Sequence, residues 1–109
     1  MSITSIARNF FAPRLKEIER YTTQAAAVQA EMLKYLTQSA KDTEYGRRHI
    51  FGAITSYDSF AANVPLNTYD DLKDSIDRMR HGEASVLWPG VVKWYAKSSG
   101  TTNDKSKFI

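Results

Sequence analysis

Residues 91–109, at the end of the chain, limit the possible folds more than any other stretch. Residues 91–96 are mostly β-branched, aromatic or apolar and alternate with a period of two, which predicts a β-strand. Residues 98–107 contain no apolar side chain, and Phe108 and Ile109 then begin a second apolar run. Two residues cannot cover a strand with bulky apolar groups on both faces, and an isolated two-stranded hairpin is marginally stable in water. We therefore expect this chain to be the N-terminal fragment of a longer protein.

The polar loop at residues 98–107 is rich in groups that donate hydrogen bonds to anions. Its hydroxyls, glycine and lysines are Ser98, Ser99, Gly100, Thr101, Thr102, Lys105, Ser106 and Lys107. A polyphosphate accepts from hydroxyl, backbone N–H and ammonium donors, so the composition indicates a phosphate-holding loop. A solvated hairpin loop is the alternative, because these residue types are also common turn formers. The loop is not a Walker A motif, since residues 100–106 lack the second glycine and Lys105 comes one residue too early.

The loop also resembles that of a known enzyme class. Ser98-Ser99-Gly100-Thr101-Thr102, followed by Lys107, is similar to the phosphate loop of adenylate-forming enzymes such as acyl-CoA synthetases and firefly luciferase. The longer string 97–109 resembles the Gretchen Hagen family of acyl acid amido synthetases, known from plant auxin and jasmonate conjugation and present in bacteria. Residues 64–72 look like that family's Val-Pro-x-x-Thr-Tyr-Glu-Asp-Leu segment, and residues 43–46 resemble its Thr-x-x-Gly. On this resemblance the chain is identified as a bacterial-type N-terminal fragment of the family.

The resemblance implies an α/β fold, the luciferase-like large domain of adenylate-forming enzymes, in the full-length protein. Residues 1–109 would be the N-terminal part of that domain, mainly helical over residues 1–82 and ending in the strand and phosphate loop over residues 91–109. The implied nucleotide-binding residues are Ser98, Ser99, Gly100, Thr101, Thr102 and Lys107. The catalytic residues, and those that hold adenine, acyl acid and amine, would lie beyond Ile109. We therefore expect the fragment to be inactive by itself.

The implied reaction is an ATP-dependent ligation with ATP and Mg²⁺ as cofactors. A carboxylic acid would be activated as an acyl adenylate and transferred to the amine of an amino acid. The expected partners are accordingly a small-molecule carboxylic acid, an amino acid and the remainder of the protein's own chain. Two alternatives remain open: an acyl-CoA ligase with a thiol acceptor, and a helical interaction module that binds no nucleotide.

Composition argues against several other classes of protein. The net charge of +3 is mild and Arg47-Arg48-His49 is the only local basic cluster, so no nucleic-acid partner is expected. The chain has no cysteine and two histidines far apart, which predicts neither a disulfide framework nor a metal site and fits a cytoplasmic location. No apolar run is long enough to cross a bilayer, and no membrane partner is expected. Residues 1–11 form an amphipathic pattern that suits a presequence or a membrane-surface helix, but an opening helix packed on the domain is favoured.

Hydrophobic periodicity predicts five helices, at residues 3–11, 13–21, 24–40, 57–63 and 69–80. Pro13 suits the first turn of the second helix, and Thr22 and Thr23 favour a break before the third. In the last helix, Thr68 is the predicted N-cap with Asp71 three residues later, and Gly82 is the predicted terminal residue. The buried stripe of this helix should be Leu72, Ile76 and Met79, with Asp74 paired to Arg78. Trp88 and Trp94 are predicted core or interface aromatics.

Overall fold

The computed structural model describes residues 2–100 and 106–109, and this part of the chain is mainly helical. The α-helices are α1 (Ile3–Thr23), α2 (Ala25–Ala40), α3 (Glu44–Arg48), α4 (Tyr57–Asn63) and α5 (Tyr69–Arg80), with a 3₁₀ turn at Phe51–Ala53. The chain divides into two compact units, residues 1–33 and residues 34–109. None of the described helices has both the length and the apolar character needed to cross a membrane.

The first unit contains α1 and the beginning of α2. Helix α1 runs straight through Pro13, so the two separate helices predicted at residues 3–11 and 13–21 are wrong. Proline removes one hydrogen bond from a helix interior, but the carbonyl that loses its partner belongs to the exposed Asn9 and can be hydrated instead. The apolar stripe expected to pack on the domain is also exposed, with 87% of Ile3 accessible. The predicted break is confirmed: α1 ends at Thr23, and Arg20 binds both carboxylate oxygens of Glu31 in α2 at 2.7 Å.

The second unit is organised around the start of α3. The hydroxyl of Thr43 donates to the carbonyl of Ala40 at 2.7 Å and accepts from the N–H of Gly46 at 2.9 Å, so it ends α2 and caps α3. Two other N–H groups in the first turn of α3 bond outside the helix. Those of Glu44 and Tyr45 donate to the carbonyls of Ser85 and Val86 at 2.9 and 3.0 Å. The core lies around these contacts and consists of Thr37, Ala40, Thr43, Ile54, Met79 and Val86.

Helices α4 and α5 have the bounds that the sequence predicts. The carboxylate of Asp71 accepts from the N–H of Thr68 at 2.7 Å and from its hydroxyl at 3.0 Å, and Gly82 follows α5 with φ of 93°. Met79 is buried as predicted, while Leu72 and Ile76 are half-buried. The predicted pairing of Asp74 with Arg78 is wrong.

Arg78 instead binds two carboxylates that are brought to it by the fold. Its guanidinium contacts Glu83 at 2.6 and 2.7 Å, and Glu44 at the start of α3 at 2.8 Å. Glu83 binds the guanidinium with both oxygens, and such a bidentate, charge-assisted contact is stronger than a single hydrogen bond. The choice of partner therefore depends on where α3 and the turn after α5 meet.

The strand predicted at residues 91–96 is not formed, which corrects the sequence-based picture. Antiparallel pairing begins only at Ala96, whose N–H and carbonyl both bond Ile109 at 2.9 Å, and the one bridge in the described residues joins Lys97 to Phe108. A β-strand requires a partner along its whole length, and residues 106–109 reach only its last positions. Trp94, predicted to be a core or interface aromatic, is 89% exposed.

We expect Gly46→Ala to destabilise the protein. A Cβ at this position would overlap the carbonyl oxygen of Ala40 and lie 2.9 Å from its carbonyl carbon, which is backbone that cannot move independently. Overpacking of this kind lowers the free energy of unfolding by about 1–3 kcal/mol, measurable by urea titration. Gly52→Ala is the matched control, because nothing lies within 4 Å of its added Cβ. A Gly46→Ala variant as stable as Gly52→Ala would contradict this packing.

We also expect the Arg78–Glu83 pair to make stability depend on pH. The hydrogen bond from Arg78 holds the pKa of Glu83 below its ordinary value. A carboxyl group whose pKa is lower in the folded than in the unfolded state stabilises the protein at pH values above its unfolded-state pKa. This stabilisation is lost as the pH falls through the folded-state pKa. Urea titrations across the acid range should therefore show a shallower acid loss in Glu83→Gln than in the parent. Equal slopes in Glu83→Gln and the parent would refute the pairing.

Candidate phosphate-binding loop

The structure describes four of the six residues predicted to bind a nucleotide. Ser98, Ser99 and Gly100 lie on one side of the loop and Lys107 lies on the other. The predictions at Thr101 and Thr102 fall outside the described residues. Ser98 is half-buried, whereas Ser99, Gly100 and Lys107 are exposed.

Ser98 and Lys107 are held together by two hydrogen bonds, and we call this pair the loop neck. The N–H of Ser98 donates to the carbonyl of Lys107 at 2.8 Å, and the N–H of Lys107 donates to the hydroxyl oxygen of Ser98 at 2.9 Å. The first and last predicted phosphate-binding residues are therefore neighbours in space. Because the serine hydroxyl accepts in this contact, its own hydrogen stays available for donation.

Helix α5 contributes two side chains to the loop that the sequence analysis missed. The hydroxyl oxygen of Tyr69 accepts from the N–H of Phe108 at 3.2 Å, and the guanidinium carbon of Arg80 lies 3.5 Å from the centroid of the Phe108 ring. Tyr69 and Arg80 are eleven residues apart, about three helical turns, so they share one face of α5. That spacing was the signal by which the sequence could have revealed this face of α5.

Cationic side chains converge on this end of the loop. The ammonium of Lys107 lies 5.1 Å from the centroid of the Tyr69 ring, and that of Lys97 lies 5.7 Å from the Phe108 ring over which Arg80 is stacked. Both distances are within the range of cation–π attraction, which contributes roughly 0.5–1 kcal/mol at exposed sites. Asp77 pairs with one of these cations, since its carboxylate lies 3.4 Å from the guanidinium of Arg80. The neighbourhood is therefore suited to an anion.

The described residues also contain an apolar groove of about 770 Å³. Its lining comprises Leu36, Ala40, Tyr45, Phe51, Tyr57, Phe60, Ala61, Val64, Pro65, Leu66, Asn67, Leu72, Leu87 and Trp88. This lining has no charged side chain, so the groove lacks the cations that a phosphate or a carboxylate requires.

Among the described residues, no three histidine, cysteine, aspartate or glutamate side chains are grouped so that they could hold a metal ion. The donors at the loop neck are hydroxyl, N–H and ammonium groups, which fit phosphate oxygens.

We expect Ser98→Ala to loosen the loop neck. The substitution removes the acceptor of the Lys107 N–H, so hydrogen exchange at that amide should accelerate by roughly three- to tenfold, the equivalent of one ordinary hydrogen bond. Exchange can be followed residue by residue by NMR. Ser99→Ala is the control, because the Ser99 hydroxyl bonds none of the described residues. Equal exchange at Lys107 in the parent and in Ser98→Ala would refute this contact.

Comparison with known proteins agrees with the motifs. The model of the GH3 family N-terminal domain matches residues 14–109. A jasmonoyl–L-amino acid synthetase, GH3.3, of Oryza sativa subsp. japonica is 38% identical over 96 residues, which is 87% of this chain and 21% of the relative. A probable indole-3-acetic acid-amido synthetase, GH3.1, of Arabidopsis thaliana is 33% identical over 99 residues, 90% of this chain and 17% of the relative. The jasmonoyl–L-amino acid synthetase JAR6 of Nicotiana attenuata is 31% identical over 111 aligned positions, 100% of this chain and 19% of the relative.

This chain thus spans about a fifth of the length of the curated relatives that it matches. The family model covers all but the first 13 residues and includes each of the three motif segments that carry the resemblance. The resemblance to the Gretchen Hagen (GH3) family is therefore confirmed, its bacterial type stays a prediction, and the chain belongs to the GH3 family, whose N-terminal domain it matches.

Proposed function

We propose that this chain is the N-terminal part of an ATP-dependent acyl acid-amido synthetase. The membership of the GH3 family carries this proposal, together with the names of the relatives, which are amido synthetases for indole-3-acetic acid and jasmonoyl–amino acid synthetases. The complete enzyme would have the α/β fold of adenylate-forming enzymes and act in the cytoplasm. Its substrates would be a small carboxylic acid and an amino acid.

The proposed reaction has two steps. A carboxylate is a poor electrophile because its negative charge is delocalised and repels a nucleophile. Attack of a carboxylate oxygen on the α-phosphorus of ATP forms the acyl adenylate and releases pyrophosphate. The amine of the amino acid then attacks the acyl carbon, an amide bond forms, and AMP leaves with the electron pair of the broken acyl–oxygen bond. Binding and orientation of the phosphates are the parts of this reaction that a loop of donors can supply.

The loop neck is the structural observation that best supports this assignment. It brings Ser98 beside Lys107, with Ser99 and Gly100 exposed next to them. The cationic groups of Arg80, Lys97 and Lys107 lie against the rings of Phe108 and Tyr69 beside it. In the proposal, Ser98, Ser99, Thr101 and Thr102 donate to phosphate oxygens, and Gly100 permits close approach of the backbone. Lys107 supplies a mobile positive charge. Mg²⁺, when bound to the polyphosphate, would neutralise part of its charge.

The test is ATP–pyrophosphate exchange by the full-length enzyme with a panel of carboxylic acids. Replacing Ser99 or Thr101 by alanine removes one donor to a charged acceptor, worth about 1.5–3 kcal/mol, so the efficiency of adenylation should fall by about ten- to more than a hundredfold. Gly100→Val should reduce it at least as much, because a branched side chain blocks approach of the backbone to phosphate. Melting temperatures of Ser99→Ala and Gly100→Val should hardly change, since Ser99 and Gly100 are exposed loop positions.

Two variants serve as matched controls. Ser106→Ala alters a hydroxyl of the same loop that is not among the proposed ligands, and Gly52→Val places the same branched side chain where the structure has space. Both should keep the exchange activity of the parent. Unchanged exchange in Ser99→Ala, Thr101→Ala and Gly100→Val would remove the loop from the mechanism. Product release with a thiol but not with an amine would point to an acyl-CoA ligase.

A further inference from the structure

The peptide unit between Lys107 and Phe108 is held on both of its edges. Its carbonyl accepts from the N–H of Ser98 at 2.8 Å, and its N–H donates to the hydroxyl of Tyr69 at 3.2 Å. From this geometry we infer that Tyr69 and Arg80 of α5 are positioning residues that set the location of Lys107 for the nucleotide. This inference rests on the proposed function, in which Lys107 binds phosphate.

The peptide group that joins Lys107 to Phe108 is rigid. Because the peptide bond is planar, two hydrogen bonds on opposite edges determine both its position and its orientation. The Cα of Lys107 lies in this plane and is therefore located by the same two bonds. Tyr69 is 39 residues away in sequence and begins a well-capped helix, so the loop is anchored to a rigid element.

Arg80, at the C-terminal end of α5, contacts the side chain of Phe108. The guanidinium of Arg80 is stacked over the Phe108 ring at 3.5 Å, on the face of the helix that also carries Tyr69. This contact stabilises the side chain of the residue that follows Lys107. Tyr69 and Arg80 thus hold the backbone and the side chain of Phe108 from two points separated by three turns of helix.

The consequence concerns the lysine ammonium. A lysine side chain is long and flexible, so its useful reach is set by the place of its backbone. The ammonium lies 5.1 Å from the Tyr69 ring, which keeps it on the α5 side of the loop. Loss of the backbone anchor should weaken binding of ATP phosphates equally in the ground state and the transition state, an effect that appears in KM more than in kcat.

The experiment uses the full-length enzyme with Tyr69→Phe, which removes one hydroxyl and retains the ring. We expect the KM for ATP in pyrophosphate exchange to rise by roughly three- to tenfold, the equivalent of one ordinary hydrogen bond, with kcat within about twofold of the parent. Tyr57→Phe is the matched control, since Tyr57 is a 74% exposed tyrosine on α4 and should leave KM unchanged. Phe108→Leu should raise KM in the same direction by removing the ring under Arg80.

A double-mutant cycle separates positioning from general destabilisation. If Tyr69 acts through Lys107, Tyr69→Phe should have no further effect on KM in a Lys107→Ala enzyme. Full additivity in the cycle, or an unchanged KM in Tyr69→Phe, would overturn the inference. Ser99→Ala in the same assay distinguishes the two failures. Loss of exchange in Ser99→Ala with an unaltered Tyr69→Phe leaves the proposed function standing, whereas unaltered exchange in both contradicts the phosphate loop itself.

Discussion

The buried hydroxyl of Thr43 is the interaction on which residues 34–109 depend. It is 1% exposed and bonds the carbonyl of Ala40 and the N–H of Gly46, so it ends one helix and begins the next. A buried hydroxyl left unpaired would cost about 1–3 kcal/mol, which makes this geometry strongly preferred. The first-turn N–H groups of α3 are then directed at the carbonyls of Ser85 and Val86. This contact brings the segment after α5 back to the centre of the unit.

Helix α5 links this centre to the candidate site. At its C-terminal end Arg78 binds Glu44 of α3 and Glu83 of the following turn, while Tyr69 and Arg80 contact Phe108 beside the loop neck. Because these ion pairs are exposed, the attraction within any single pair contributes little to stability. The bidentate geometry and the number of pairs matter more. Of the candidate phosphate-binding residues that the structure describes, Ser99, Gly100 and Lys107 are exposed, while Tyr69 and Arg80, which contact the neighbouring Phe108, belong to a helix.

The accuracy of each sequence-based prediction depends on how far apart in the chain the interacting residues lie. Helices α4 and α5 were predicted to the residue because their signals, an apolar stripe in both and a threonine cap in α5, act within one or two turns. The break at Pro13 was wrong, because hydration can replace one lost hydrogen bond on an exposed helix. The strand predicted at residues 91–96 was also wrong. Its composition suits a sheet, but a strand forms only where a second strand pairs with it.

The sequence by itself determined the family and predicted a phosphate-binding character for the loop. Motif segments keep their order and spacing whatever the fold around them, and loop donors suit phosphate by their composition alone. Only the tertiary structure decided that Ser98 meets Lys107, that Arg78 binds Glu83 in preference to Asp74, and that Tyr69 supports Phe108. These contacts join residues between five and 39 positions apart. Local periodicity carries no information at such separations, because chain reversal, and not helical spacing, places the partners side by side.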